Sequence, residues 1–364
     1  MTSPSAATIA IAPSCNAVWY SRCPVPTTSG IAQHYQWLHR AFARHGVTVA
    51  SLRASADPQV RAAHYNHAHP DMFREGGNVP PIWARASGQD TVVVGITWID
   101  ERQDLLVRAD SVLRAPQDLR GRKLGLPKHA TRNVDIARTA HLRGLLTALE
   151  LAGVARSEVE FVDIHGGEFD LREVNTVNKV NEKASPGEDR ADLLAALLDG
   201  GVDAIYAKGA HSAALQARHG LRSLIDINAE ADPLRRVNAG TPRPITVNRD
   251  LLARAPDLVA LYLAVLLATA DWARSHQPQA VAALAHETGA SAGDIVQGYG
   301  ADFHHHLRPG LSDTYRQGLA LQKDFLLAEG FLPGDFDLGA WIDPAPLATA
   351  EALAPTLGWL FEPA

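Results

Sequence analysis

Cysteine is nearly absent from this sequence, which excludes a disulfide framework as the source of stability. Only Cys15 and Cys23 occur in 364 residues. A bridge between them would close a very short loop, so we favour two free thiols and keep the single bridge as the alternative. Long apolar runs are also absent: the most apolar stretch, 258–270, falls short of the roughly 20 residues that span a bilayer.

Dense tracts of positive charge are missing as well. The chain carries 34 basic and 40 acidic side chains, for a net charge of −6. Nucleic acids and anionic membranes need a concentrated positive field, so we expect neither as a partner. The first residues lack Lys and Arg ahead of a short apolar stretch, which predicts no secretion signal and a cytoplasmic location. We expect a monomer that binds a small molecule.

Apolar residues are plentiful, at 46% of the chain. The apolar fraction and the chain length together predict two domains, each with its own hydrophobic core, and they exclude disordered and fibrous proteins. No G-x-G-x-x-G or Walker loop occurs, so a nucleotide cofactor is not expected.

Strands and helices alternate along most of the chain. The first unit reads as a strand at 8–12, a loop with Cys23, a helix at 29–45, a strand at 47–52 and, after a His-, Pro- and Gly-rich segment, an apolar strand at 91–99. The alternation predicts an α/β protein with parallel sheets.

A second unit follows, and the end of the chain is helical. Its predicted strands and helices are 105–107, 123–126, 141–152, 159–163, 190–198 and 204–206, and the helical pattern begins near 249. The polar stretch 175–189 is a candidate flap over a site. We predict two lobes with a ligand cleft between them, lobe 1 from 1–104 plus 225–364 and lobe 2 from 105–224, the C-terminal helices packing on lobe 1.

Several segments of the sequence resemble segments of known families, and they occur in the same order along the chain. The phrases VRADSVLRAPQDLRGRKLGLP and LLDGGVDAIYAKGAHSAALQARHGL resemble the second lobe and hinge of sulfonate- and nitrate-type solute-binding proteins, which have a type II periplasmic-binding-protein-like fold. YSRCPVP, REGG with its trailing PP, and QGYGADF resemble the aryl-sulfinate desulfinases, enzymes built on that fold. The resemblance covers nearly the whole chain.

The resemblance implies a set of site residues. The family's catalytic cysteine corresponds to Cys23, its active-site histidine to His64, its sulfinate-binding arginine to Arg74 and a backbone-donating glycine to Gly77. Two features differ from the family: Arg22 stands where an amide side chain is usual, and the helix leading to 145 lacks an aromatic residue that would stack on a biphenyl. The connection between 132 and 145 is also shorter.

The same residue types suit sulfinate chemistry. A planar guanidinium, as in Arg74, grips two anionic oxygens, while backbone N–H groups beside Gly76 and Gly77 complete a cradle. Arg22 and Tyr65 are further candidate substrate contacts. The positive charge of Arg22 or of Arg74 can lower the pKa of a nearby cysteine and so favour its thiolate.

Cys23 can act in two ways, and His64 has a role in either. The thiolate can attack the sulfinate sulfur, or the thiol can protonate the ring carbon while water takes the sulfur. His64 can orient or deprotonate the thiol or the water.

Each candidate has an alternative. Cys23 can be a small buried hydrophobe, as we expect Cys15 to be. His64 can belong to a solvated His-rich loop, or with His67 and His69 to a metal site, which the absence of a familiar acidic partner disfavours.

Arg74 and two glycines have alternatives too. Arg74 can form a surface ion pair with Asp71 or Glu75. Gly298 and Gly300 in QGYGADF are expected to be helix-end turns rather than ligand contacts.

We therefore expect a cofactorless, cysteine-dependent desulfinase that hydrolyses the C–S bond of an aromatic or related sulfinate and releases sulfite. The first alternative is a non-catalytic binding protein for a sulfonate, nitrate or thiamine-precursor-like ligand. The second is a C–C or C–S lyase that uses Cys23 for another leaving group.

Overall fold

Two five-stranded sheets covered by helices organise the chain. The computed structural model describes residues 15–22, 25–129, 134–166 and 188–362, with the backbone alone at 22 and 188–191. The strands are β1 (Ala17–Arg22), β2 (Thr48–Ser51), β3 (Met72–Glu75), β4 (Thr91–Thr97), β5 (Gln103–Val107), β6 (Lys123–Lys128), β7 (Glu160–His165), β8 (Ala204–Lys208), β9 (Arg222–Asp226) and β10 (Arg243–Asn248). The α-helices are α1 (Thr28–His34), α2 (Trp37–Ala43), α3 (Pro58–Asn66), α4 (Val79–Ala86), α5 (Ile136–Ala152), α6 (Glu188–Leu198), α7 (Gly209–His219), α8 (Arg249–Arg254), α9 (Pro256–Ala273), α10 (Gln277–Thr288), α11 (Ala292–Tyr299), α12 (Asp313–Ala328), α13 (Leu338–Trp341) and α14 (Ala345–Leu353).

Both sheets are mixed, where the sequence predicted parallel ones. Their strand orders are β2-β1-β3-β10-β4 and β7-β6-β8-β5-β9. In each sheet a single strand, β10 or β5, runs antiparallel to its neighbours. The chain passes from β4 of the first sheet into β5 of the second, and later from β9 of the second sheet into β10 of the first. Neither passage needs the helical crossover that connects parallel strands within one sheet, so β5 and β10 can be antiparallel to their neighbours.

The two lobes share part of a core. One apolar cluster contains Ile96 of the first sheet, Tyr206 of the second and Phe325 of α12. The Arg143 guanidinium lies 5.3 Å from the centroid of the Phe325 ring. Helix α12 therefore packs against both lobes, whereas the sequence placed the C-terminal helices on lobe 1. The exact lobe boundaries stay a prediction.

Helix α9 forms the centre of the first core. Among the described residues, α9 is the helix long and apolar enough to cross a membrane, with 18 residues and a mean hydropathy of 1.4. Most of it, 78%, is buried inside the protein. Apolar residues on every side are what a helix surrounded by protein requires.

The start of the chain differs from the prediction in two places. The predicted strand 8–12 lies outside the described residues and stays a prediction, whereas β1 is a strand that the sequence had not predicted. The single predicted helix 29–45 is two helices, because Gln36 adopts a left-handed conformation with φ of 59°. The break turns Trp37 onto Trp272, with ring centroids 4.8 Å apart. Tertiary packing thus overrides the helical pattern.

Candidate functional site

The predicted site residues gather where two parallel strands end. β1 and β3 are neighbours, with Ser21 opposite Arg74 and Arg22 opposite Glu75. The chain therefore leaves β1 next to the point where it leaves β3 for Gly76 and Gly77. Cys23 lies outside the described residues, as does the side chain of Arg22, although the strand that leads directly to Cys23 is described.

His64 is on α3 and buried against β1. Its Nδ1 forms a hydrogen bond with the hydroxyl of Ser21, and its ring meets the half-buried Tyr65 ring edge to face at 4.5 Å. Burial and the nearby Arg74 charge hold the pKa of His64 well below its ordinary value. The ring is therefore neutral near pH 7. The solvated-loop alternative is wrong, because α3 forms and buries this side chain.

Arg74 has no exposed surface, which contradicts the surface-ion-pair alternative. Its Nε donates to the backbone carbonyl of His64 at 3.1 Å, and its Nη1 donates to the carbonyl of Gly77 at 2.9 Å. Asp71 instead pairs with Arg254. The two backbone bonds fix the guanidinium between α3 and the glycine turn.

Glu75 is also buried, and sequence reasoning gave it no role in the site. Its carboxylate accepts from the backbone N–H groups of Thr28 at 3.3 Å and Ser29 at 2.7 Å, and from the hydroxyl of Thr97 at 2.9 Å. Three donors satisfy the buried charge and tie the start of α1 to the end of β3. The loop that contains Cys23 is thus anchored just beyond its end.

The Gly76-Gly77 pair is required by geometry. Gly76 has a φ of 155°, which favours glycine. A Cβ on Gly77 would lie 2.7 Å from the carbonyl oxygen of Ala239, which leaves no room for any side chain. The turn therefore brings the backbone close to the segment before β10.

The other histidines near His64 have protein contacts of their own. His67 is buried, its Nδ1 donates to the carbonyl of Tyr65 at 3.3 Å, and burial lowers its pKa to about 3. The His69 ring packs on Trp19 with centroids 5.2 Å apart. Within the described ranges, no group of three or more His, Cys, Asp or Glu side chains is arranged to hold a metal ion.

The QGYGADF glycines have different roles. Gly300 ends α11 with a φ of 85°, as the helix-end prediction requires. Gly298 lies inside α11, where a Cβ would be 2.3 Å from the backbone nitrogen of Ala210. Its carbonyl accepts from the N–H of Arg102 at 2.7 Å. Gly298 is in the last turn of α11, next to the helix end, and its missing side chain allows close contact between α11 and α7.

Cys15 is a buried free thiol, as expected, and not half of a disulfide. Its Sγ donates to the carbonyl of Ala17 at 2.7 Å. The predicted flap 175–189 falls almost entirely outside the described residues.

Comparisons with known proteins find similar chains, although no protein-family model matches this one. The 2'-hydroxybiphenyl-2-sulfinate desulfinase of Rhodococcus erythropolis is 29% identical over 350 residues, which cover 89% of this chain and 91% of the relative. The desulfinase of Rhodococcus qingshengii matches equally.

Solved structures give the same relationship. A cysteine-to-serine mutant of DszB in complex with biphenyl-2-sulfinic acid is 28% identical, covers 92% of this chain and 99% of its own, and superposes with a TM-score of 0.75. The aliphatic sulfonate-binding protein SsuA of Escherichia coli is 20% identical, with 91% and 92% covered and a TM-score of 0.65, and shows the fold alone. The chain is therefore similar to aryl-sulfinate desulfinases over most of its length, and it shares the fold of the sulfonate-binding proteins.

Proposed function

We propose that the chain is a cofactor-free, cysteine-dependent hydrolase that cleaves the carbon–sulfur bond of an aromatic sulfinate. The reaction adds water across the bond: the ring carbon gains a proton, and the sulfur leaves with the hydroxyl group as hydrogen sulfite. One observation carries the proposal. Buried Arg74, His64 and the Gly76-Gly77 turn meet at the end of the strand that leads to Cys23, in a chain similar to desulfinases over most of its length.

Arg74 supplies the positive charge for the sulfinate in this proposal. Its orientation is set in advance by backbone carbonyls, so little ordering is needed when an anion arrives. The backbone beside Gly76 and Gly77 can approach the oxygens closely because neither residue has a side chain. Tyr65 and Arg22 are proposed as further contacts.

His64 is proposed as the proton acceptor. Because it is neutral near pH 7 and held by Ser21 through Nδ1, its second ring nitrogen is oriented by that bond. It can take the proton of the Cys23 thiol when the thiolate attacks sulfur. If Cys23 instead protonates the ring carbon, His64 can take a proton from the attacking water. The arrangement serves both routes.

The test replaces one cysteine at a time. Cys23→Ser should lower sulfite release from benzenesulfinate and biphenyl-2-sulfinate by a factor of at least about 1,000, the scale on which loss of a catalytic nucleophile or acid acts. Cys15→Ser is the matched control and should keep the wild-type rate. Equal rates in C23S and wild type would refute the role of Cys23.

A second readout addresses the function as a whole. If wild-type protein binds both sulfinates but returns them chemically unchanged, the proposal of an enzyme fails and a binding protein is the better description. Cytoplasmic location and a monomeric state stay predictions of the sequence.

A further inference from the structure

Arg243 is a second fully buried arginine near the site. It opens β10, opposite Thr97 of β4, and has no exposed surface. Its Nη1 donates to the carbonyl of Ile99 at 2.9 Å. Its Nε and Nη2 have no hydrogen-bond partner among the described residues. A buried guanidinium with two unused nitrogens is costly, so it calls for a physical explanation.

A carboxylate and an ammonium group lie beside Arg243. The Glu101 carboxylate lies 3.8 Å from Arg243 Nη2, but the same oxygen accepts a closer hydrogen bond from Lys208 Nζ at 2.8 Å. Glu101 therefore contacts Lys208 more closely than it contacts Arg243. Glu101 is 1% exposed and Lys208 14%, so water screens these charges weakly.

Arg243 is connected to the Arg74 site by close backbone contact. Arg74 bonds the carbonyl of Gly77, and a Cβ on Gly77 would reach Ala239 and Gly240. A Cβ on Gly240 would in turn lie 1.9 Å from the Glu101 carboxylate. Two buried guanidinia therefore lie on either side of the contact between the Gly76-Gly77 turn and the segment before β10.

We propose that Arg243 is a second anion-binding residue, whose Nε and Nη2 take an oxygen of a sulfur oxyanion. The ligand is the sulfinate substrate or the sulfite product, which present the same kind of oxygen, and the inference rests on the proposed function. Arg243 has no exposed surface, so the anion reaches it only when neighbouring groups move. Glu101 and Lys208 are those neighbours, and they join the two lobes.

The experiment measures anion binding by calorimetry in the C23S background, with sodium sulfite in one arm and benzenesulfinate in the other. R243M should weaken binding of at least one anion by about tenfold or more, as expected for a lost hydrogen bond to a charged group. R249M is the matched control at the other end of β10, where Arg249 pairs with Asp90 at 3.1 Å, and it should bind as the parent does.

The two arms separate the sources of the oxyanion. Loss confined to sulfite assigns Arg243 to the product, and loss of benzenesulfinate binding assigns it to the substrate. Unchanged binding of both anions by R243M would overturn the inference.

Stability provides an independent check. Without anion, R243M should melt no lower than the parent, because the variant removes two buried nitrogens that lack hydrogen bonds, and added anion should raise its melting temperature less. A lower melting temperature with the full anion-induced rise would mean a purely structural role. R243K keeps the charge and should bind with intermediate strength. If wild-type protein releases no sulfite, the proposed function fails, while these binding measurements still decide the role of Arg243.

Discussion

The end of β3 and the outer strands β6 and β7 differ in how their charges are surrounded. At the end of β3, Arg74 and Glu75 have no exposed surface and are held by backbone groups. On β6 and β7, Lys128 and Asp163 pair at 2.7 Å while their side chains are 49% and 32% exposed. Buried charges act through a low dielectric, and exposed ones are screened by water. The comparison supports the proposal that the end of β3 binds an anion, because charges there are screened only weakly.

The strongest test of this comparison removes the buried guanidinium. Arg74→Met should lower kcat/KM for benzenesulfinate by about 100-fold or more, because a preorganised donor to the developing charge is lost. Arg74→Lys should recover only part of this loss, since an ammonium cannot form two parallel hydrogen bonds. Steady-state sulfite release measures both variants. An R74M enzyme within threefold of wild type would contradict the assignment.

Acid should destabilise the first lobe through its buried histidines. Burial lowers the pKa of His67 from 6.5 to about 3, so the unfolded chain binds a proton below 6.5 that the folded chain does not. The stability is therefore complete above pH 6.5 and falls as the pH drops, by about 2 kcal/mol at pH 5 from His67 alone.

Urea unfolding at pH 7 and pH 5 measures this loss. His67→Phe should show a smaller difference between the two pH values than the parent. A pH difference unchanged in H67F would show that His67 does not contribute.

Substitution of Ser21 tests how far activity depends on the orientation of His64. Ser21→Ala should lower kcat by about tenfold with little change in KM, by analogy with hydrogen bonds that orient metal-ligating histidines. Ser21→Thr keeps a hydroxyl and should retain more activity. Equal kcat for S21A and wild type would mean that the bond to His64 has no positioning role.

The smallest effect is expected at the second sheet. Lys128→Met removes an exposed partner of Asp163, which Arg138 still contacts at 2.7 Å. Such pairs contribute less than about 1 kcal/mol, and salt weakens them further. Denaturant unfolding in low and high salt measures this contribution. A loss of more than about 2 kcal/mol in the free energy of unfolding would contradict the contrast between the buried charges at the end of β3 and the exposed pair on β6 and β7.

Long elements with a clear period were predictable from the sequence. The apolar strand β4 and the helical end of the chain were recognised because burial on all sides leaves an unmistakable apolar run. Strand β3 was missed: it has four residues, follows a His-rich segment and ends in Arg74 and Glu75, whose charges suggest a surface loop. Nothing local signals that both side chains are buried.

The sequence by itself determined the fold class and, through the family resemblance, the choice of candidate site residues, and it predicts that polyanions are not partners. These depend on composition, period and short motifs, which are local. Only the tertiary structure decided that Arg74 is fully buried, that Gly77 faces Ala239 and that Arg243 opens its strand beside Glu101. Those facts depend on strands from distant parts of the chain meeting at one edge, which local pattern does not specify.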